Sequence, residues 1–179
     1  MRSIQGSVRV LAVDPGLTRC GIAVVEGDRH RRVALVGTRL VRTDARAQLS
    51  ERLREVYQRV TLMIEEYGPD RVAVEQVFAQ RNLNTALATA QAAGVVMLAG
   101  SQHGLPVATH TPSEVKAAVT GTGRADKAQV TTMVQRLLRL AEPPRPADVA
   151  DALALAITHL WRSPLPPARS TLAAGGSHA

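Results

Sequence analysis

Acidic residues stand at one end of each of three apolar segments in this chain of 179 residues. Asp14 follows the run VRVLAV, Glu75 follows RVAV, and Asp148 and Asp151 open an apolar stretch that runs to Trp161. A carboxylate at the edge of an apolar core is costly unless it is neutralised, paired or bound to a cation. Three such segments therefore predict one shared site, with a cation as its partner.

The apolar spacing predicts an α/β fold. Three short β-branched segments separated by polar turns indicate an antiparallel meander, and alternating helices and strands follow. The predicted strands cover 8–14, 20–26, 33–41, 71–76 and 106–110, and the predicted helices cover 46–67, 82–102, 112–119, 125–141 and 147–162. We expect one domain over residues 1–162, with a five-stranded mixed sheet flanked by helices, and a disordered tail at 163–179.

This order of elements lets the four acids converge. The first and fourth strands can lie side by side, so that Asp14 and Glu75 meet at neighbouring strand ends. Asp148 and Asp151 are three positions apart and share one face of the last helix. Ligands that are all oxygen favour hard cations such as Mg²⁺ or Mn²⁺, and the chain has no Cys/His cluster for zinc. Two alternatives stay open: Glu75 as a surface acid and Asp148 as a helix cap.

The charge of the chain favours a polyanionic partner. The formal net charge is +7 and the pI is about 10.9, a balance typical of nucleic-acid-binding proteins, although a merely soluble basic surface is also compatible with it. Of 22 basic residues only Lys116 and Lys127 are lysine, which leaves 20 arginines. Where arginine replaces lysine so generally, the two remaining lysines are candidates for sites that need a compact ammonium group.

Other features bound the setting of the protein. The single cysteine, Cys20, excludes an intramolecular disulfide, fits a reducing cytoplasm and is expected to pack within a strand. We find no signal peptide and no uninterrupted apolar run of membrane-spanning length, so we expect a cytoplasmic protein without a membrane partner. His110 and His159 are expected to be structural.

Four sequence blocks in this order resemble the RuvC family of crossover junction endodeoxyribonucleases. The resemblance covers about residues 8–162. The blocks are LAVDPG at 11–16, VEQVF at 74–78, GTGRADK at 121–127, and ADVADALA at 147–154 running on to His159. The resemblance implies a ribonuclease H-like fold, a homodimer and a four-way (Holliday) DNA junction as substrate, in recombination and repair. It also implies a partner of the branch-migration helicase type, a RuvA/RuvB-type complex.

The resemblance also assigns roles to residues. The metal-binding acids of the family correspond to Asp14, Glu75, Asp148 and Asp151, which are the four acids singled out above. The two functional lysines of the family correspond to Lys116 and Lys127, so the argument from lysine scarcity and the resemblance agree. Two Mg²⁺ ions per subunit, replaceable by Mn²⁺, would activate a water for phosphodiester hydrolysis that leaves 5′-phosphate and 3′-hydroxyl ends.

Candidate DNA contacts lie near these positions. Phe78, the only phenylalanine, follows Glu75 by three residues, and the resemblance gives an aromatic side chain there a stacking role at the junction centre. A core phenylalanine that seals the loop is the alternative. Arg81, Asn82 and Arg124 are further candidates for DNA contacts. The helix at 82–102 is the candidate dimer interface, because small side chains permit close helix approach, although it could simply pack on the sheet.

Other functions remain to be weighed. Strand-ending Asp and Gly turns also occur in sugar kinases and Hsp70-like ATPases, but those need two such domains, for which 179 residues are too few. Another ribonuclease H-like nuclease, acting on RNA–DNA hybrid or on other branched DNA, is one alternative. A junction-binding protein without cleavage is another, and it would require an incomplete set of acids.

Overall fold

The computed structural model describes residues 6–76 and 83–163. Five strands and five helices follow in the predicted order. The strands are β1 (Val8–Asp14), β2 (Arg19–Gly27), β3 (Val33–Arg42), β4 (Arg71–Glu75) and β5 (Val107–His110), and the helices are α1 (Leu49–Tyr67), α2 (Leu83–Gln102), α3 (Pro112–Thr120), α4 (Lys127–Leu137) and α5 (Ala147–Arg162). The tail predicted at 163–179 lies, beyond Ser163, outside the described residues.

The strands form one mixed sheet in the order β3-β2-β1-β4-β5. β1, β2 and β3 are antiparallel neighbours, whereas β4 runs parallel to both β1 and β5. The predicted five-stranded mixed sheet is therefore confirmed. β1 lies in the middle, so its carboxyl end is flanked by strands on both sides.

Alternate residues of the central strands build a core on each face of the sheet. One face carries Val10, Ala12, Ala23 and Ala73 and packs under α5. The opposite face carries a second set that packs under α1 and α2: Leu11, Val13, Cys20, Ile22, Val72 and Val74. Cys20 is fully buried there, as expected for a strand-packing residue. The strands are buried on both faces, which explains why they read as continuous apolar runs.

The helix ends differ from the predicted bounds where caps intervene. α1 begins three residues later than predicted, because Gln48 and Glu51 form a capping box before its first turn. α4 begins two residues later than predicted because Asp126 accepts a hydrogen bond from the Gln129 backbone N–H and caps the helix there, and it ends at Leu137 rather than 141. Apolar periodicity extends past both caps and carries no information about them.

α2 is long and apolar enough to cross a membrane by length and composition alone. In this fold it packs against α1 and β4, and it buries Ala92, Ala93, Val96, Ala99 and Gly100. A core helix of a globular fold meets the same length and composition criteria. Packing against α1 and β4 accounts for the apolar residues on one face of α2.

Candidate active site

Asp14 and Glu75 meet at the middle of the sheet. β1 and β4 are parallel with Val13 opposite Val74, so the two acids that follow these residues end adjacent strands. Asp14 is two residues after Ala12, and Glu75 two residues after Ala73, and both alanines face α5. Because the side-chain period of a strand is two, both carboxylates point towards the same helix.

α5 delivers the other two acids onto this face. Pro146 occupies the N-cap position, and Asp148 lies in the first turn, so the alternative in which Asp148 caps the helix is not what the structure has. Asp151 follows three residues later on the same side of α5. Behind them the helix is buried continuously from Ala152 to Leu160. Burial of this stretch against the sheet fixes where its first turn lies.

A glycine in β2 permits the close approach of α5. A Cβ built on Gly21 would lie 2.0 Å from the backbone oxygen of Asp148 and 2.4 Å from its carbonyl carbon. Gly21 is also the antiparallel partner of Asp14. The first turn of α5 therefore sits directly over the strand that pairs with Asp14, at a distance that no larger residue would allow.

The four carboxylates interact electrostatically. Burial, together with the charges of the other three acids, raises the pKa of Asp14 to about 8, while the charge of Lys127 opposes them. Burial is also the main cause that raises the pKa of Glu75, followed by the charge of Asp151. No described residue donates a hydrogen bond to the Asp14 or Glu75 carboxylate. An acid that is half-protonated near neutral pH is the expected signature of a site built for a positive charge.

Both lysines lie at this site. Lys127, the first residue of α4, donates from Nζ to Asp151 Oδ2 at 2.9 Å. This hydrogen bond raises the pKa of Lys127, so its ammonium stays charged. Lys116, in α3, lies near enough for its charge to lower the pKa of Glu75. The inference from lysine scarcity thus singled out two residues that the fold brings to the acids.

Arg19 is a neighbour of the site that the sequence did not reveal. Its Nε and Nη2 both donate to Asp148 Oδ2, at 3.0 and 2.6 Å. Arg19 begins β2 and shares a strand face with Gly21, the residue on which α5 rests. In a chain with 20 arginines no local signal distinguishes this one, since only the packing of α5 over β2 brings it to Asp148.

In this conformation the acids do not form a ready-made metal cage. Within residues 6–76 and 83–163 no group of three or more His, Cys, Asp or Glu side chains is arranged to hold a metal ion. Two of the four acids are engaged instead in ion pairs, Asp148 with Arg19 and Asp151 with Lys127. The carboxylate oxygens suit a hard cation, but Asp148 and Asp151 are already paired with cationic side chains of the protein.

The remaining predicted residues fall into two groups. Arg124 is exposed on the turn before α4, where its backbone N–H bonds Thr122 Oγ1. Phe78, Arg81 and Asn82 lie outside the described residues, so their predicted DNA contacts remain predictions.

The two histidines singled out in the sequence form a buried pair. His110 Nε2 and His159 Nδ1 are 2.9 Å apart, at the end of β5 and the end of α5. Burial lowers the pKa of both, that of His159 to about 4. A neutral, mutually hydrogen-bonded pair fits a structural role.

Comparison with known proteins decides the family. The profile of the crossover junction endodeoxyribonuclease RuvC matches residues 10–159. The chain belongs to the RuvC family. A RuvC from Salinispora arenicola is 58% identical over 172 residues, 96% of this chain and 97% of that protein. A RuvC from Streptomyces coelicolor is 60% identical over 157 residues, 88% of this chain and 84% of that protein.

Solved structures agree with this assignment. Thermus thermophilus RuvC in complex with a Holliday junction substrate superposes with a TM-score of 0.82 at 35% identity, covering 86% of this chain and 94% of that one. The yeast mitochondrial Holliday junction resolvase Ydc2 has a TM-score of 0.64 at 13% identity, with coverage of 89% and 80%, and supports the fold alone. The fold is ribonuclease H-like, as expected, and the chain is an endodeoxyribonuclease of the crossover-junction type.

Proposed function

We propose that this RuvC-family protein resolves four-way DNA junctions by paired symmetric nicks, in recombination and repair, through hydrolysis assisted by two Mg²⁺ ions. The observation that carries the proposal is the half-buried Asp14 carboxylate, whose pKa is raised by burial and by three further acids and opposed by one lysine. A binding protein without cleavage would have no use for this concentration of acid.

The residues present suit the metals in chemistry. All four donors are carboxylate oxygens, the ligands that Mg²⁺ and Mn²⁺ prefer. Burial and, after it, the charges of the three other acids raise the pKa of Asp14. Asp14, Glu75, Asp148 and Asp151 would hold the two ions. When bound, the ions would lower the pKa of the attacking water and stabilise charge on the leaving 3′-oxygen.

The protein's own cations would act on the phosphate. Lys127 already lies 2.9 Å from Asp151, and the charge of Lys116 reaches Glu75, so both ammonium groups border the place where a scissile phosphate must lie. They would stabilise the negative charge that develops on the phosphoryl oxygens. Arg124, Arg81 and Asn82 would bind neighbouring phosphates, and Phe78 would stack on a base near the junction centre.

The reaction is tested on three substrates. A labelled four-way junction, an RNA–DNA hybrid and a linear duplex are each incubated with the protein and Mg²⁺, and the products are resolved on a denaturing gel. We expect symmetric nicks in the junction alone, with ends that a ligase seals. Cleavage of the hybrid alone would assign the site to a different ribonuclease H-like nuclease, and binding without cleavage would make the protein a junction binder.

A charge-conserving substitution tests the need for lysine at position 127. Lys127→Arg should lower the cleavage rate at saturating junction by at least about tenfold, because a planar guanidinium cannot occupy the position of a compact ammonium. Single-turnover kinetics measure the rate. Arg136→Lys, an exchange in the last turn of the same helix, is the control and should leave the rate unchanged. A normal rate for Lys127→Arg would contradict the argument from lysine scarcity.

We propose that the active form is a homodimer joined through α2. Leu83, Leu87 and Leu98 are 66%, 52% and 52% exposed, and they lie on one stripe of the helix together with Gly94, which has open space in front of it. Exposed leucines on one helix face are typical of an association surface, and Gly94 lets a second helix approach closely. A two-fold dimer would present two active sites to two strands of a junction.

The dimer is tested by charge on this stripe. The double variant Leu87→Glu/Leu98→Glu should shift the mass in solution from dimer to monomer, measured by light scattering, and should abolish paired nicking. Leu62→Glu on α1, where the leucine is 45% exposed, is the control and should remain dimeric. A double variant that keeps the dimer mass would move the interface away from α2.

The cellular setting follows from the proposed reaction. Such an enzyme would act on chromosomal DNA in the cytoplasm, beside a RuvA/RuvB-type complex that moves the junction. We propose that residues 1–162 form the whole nuclease domain.

A further inference from the structure

The two acids of α5 differ from the two acids of the sheet in how they are compensated. Asp148 and Asp151 each make a direct ion pair, to Arg19 and Lys127. The Asp14 and Glu75 carboxylates receive no hydrogen bond from a described residue, and the pKa of both is raised by burial. The site is thus divided into an open pair on the sheet and a closed pair on the helix.

The contact of Arg19 with Asp148 has the geometry of a specific ion pair. Two nitrogens of the guanidinium donate to one oxygen, at 3.0 and 2.6 Å, and the Asp148 side chain is only 25% exposed. Arg19 reaches it from the face of β2 on which the backbone of Asp148 already rests, through Gly21. Charge-assisted hydrogen bonds of this length are the strong ones.

The guanidinium of Arg19 takes over part of the role that a metal ion would have at Asp148. It offsets the charge of Asp148 and occupies one of its two carboxylate oxygens, Oδ2. A metal ion and Arg19 therefore compete for the negative charge of Asp148, and the positive charge of Arg19 lowers the affinity of this carboxylate for a second cation. The competition falls on the α5 side only, because Arg19 touches neither Asp14 nor Glu75 among its described contacts.

We infer that Arg19 is a positioning residue that holds Asp148 in the metal-free protein and weakens binding of the divalent cation that Asp148 ligates. This rests on the proposed metal site. Asp14 and Glu75 would be available to a cation while this ion pair is intact, whereas Asp148 would ligate one more weakly as long as Arg19 holds it.

Mn²⁺ is the probe, since unbound Mn²⁺ is counted directly by electron paramagnetic resonance in titrations of the metal-free protein without DNA. Arg19→Gln keeps the length and polarity of the chain and removes the charge. We expect it to raise the Mn²⁺ affinity by about threefold to tenfold, the range for a part-exposed pair of good geometry. Arg19→Lys keeps the charge but loses the two-nitrogen contact. Its Mn²⁺ affinity should lie between those of Arg19→Gln and the wild type.

Arg42→Gln is the matched control. Arg42 pairs with Arg19 across β2 and β3, so its removal takes away the same charge next to the same strand without touching Asp148. It should change the affinity by less than about twofold, the scale of an exposed charge. Melting curves of all variants in chelator check that each one folds.

The outcomes separate this inference from the metal site on which it rests. Wild-type binding that Asp14→Asn removes, together with tighter binding by Arg19→Gln, supports both. Wild-type binding that Arg19→Gln leaves unchanged or weakens overturns the role of Arg19 and leaves the metal site standing. An equal gain from Arg42→Gln reduces the effect to general charge and also overturns the inference. If no part of the Mn²⁺ binding depends on Asp14, both the metal site and the inference are overturned.

Discussion

Replacing Asp14 with asparagine should lower junction cleavage by about 10³-fold or more while junction binding is retained. The amide keeps the shape of the carboxylate and removes the charge that would hold both ions, and stabilisation of charge in the transition state depends on that charge. Cleavage is measured on a labelled junction with Mg²⁺, and binding is measured by mobility shift in Ca²⁺ or chelator. Binding should be equal or tighter, because the amide adds no negative charge that would face the DNA.

The same variant should change how stability depends on pH in the absence of metal. The pKa of Asp14 is raised to about 8 from an ordinary value of 3.8, so the folded state holds a proton that the unfolded state releases between those values. Stability of the wild type therefore falls as pH rises through this window, and Asp14→Asn lacks the loss. Melting temperatures in chelator at pH 5 and pH 8.5 should show the variant gaining on the wild type at the higher pH.

Asp70→Asn is the control for both measurements. Asp70 precedes β4 at the opposite end of the sheet and accepts a hydrogen bond from the Arg9 backbone N–H, which an amide oxygen can also accept. It should cleave at the wild-type rate. If Asp14→Asn retained cleavage, Asp14 would be removed from the catalytic centre.

Adding one methyl group at Gly21 should have the largest effect on stability. A Cβ there would lie 2.0 Å from the backbone oxygen of Asp148, so α5 must move away from β2 in the Gly21→Ala variant. A backbone atom cannot turn aside as a side chain can, and we expect a loss of about 3 kcal/mol or more in the free energy of unfolding. For a chain of this length that lowers the melting temperature by roughly 10 °C.

Gly94→Ala is the matched control. It adds the same methyl group on the exposed side of α2, where nothing lies within 4 Å, and an alanine in a helix is favoured over glycine. Its melting temperature should equal or exceed that of the wild type, with the mass in solution checked in parallel. An unchanged melting temperature for Gly21→Ala would mean that α5 can shift over β2 without cost.

The sequence predicted most of the fold because its strands and helices are strongly apolar and the connecting turns are polar. Every strand and helix was predicted, and the helix bounds were wrong where the Gln48 and Asp126 caps lie outside the apolar pattern. Asp14 and Glu75 could be placed together from strand order alone, since parallel neighbours end at one edge. The docking of α5 could not be derived, and the resemblance supplied it.

What the sequence could not predict depends on contacts between distant elements. The ion pair of Arg19 with Asp148 joins residues 129 positions apart and arises only because Gly21 allows α5 to approach β2. The sequence also does not indicate which stripe of α2 is exposed, because a helix that is apolar on several sides does not show which side is packed.

α5 is at once the most deeply buried helix and the carrier of two of the four acids. Its residues from Ala152 to Leu160 lie in the core, and Asp148 and Asp151 are the turn that emerges from it. A loss of junction cleavage after random mutagenesis will therefore often report loosened packing many ångströms away rather than altered chemistry. For this protein a screen for inactive variants therefore largely detects substitutions that disturb the packing of α5. A chemical defect is identified only when junction binding is retained and the melting temperature is unchanged.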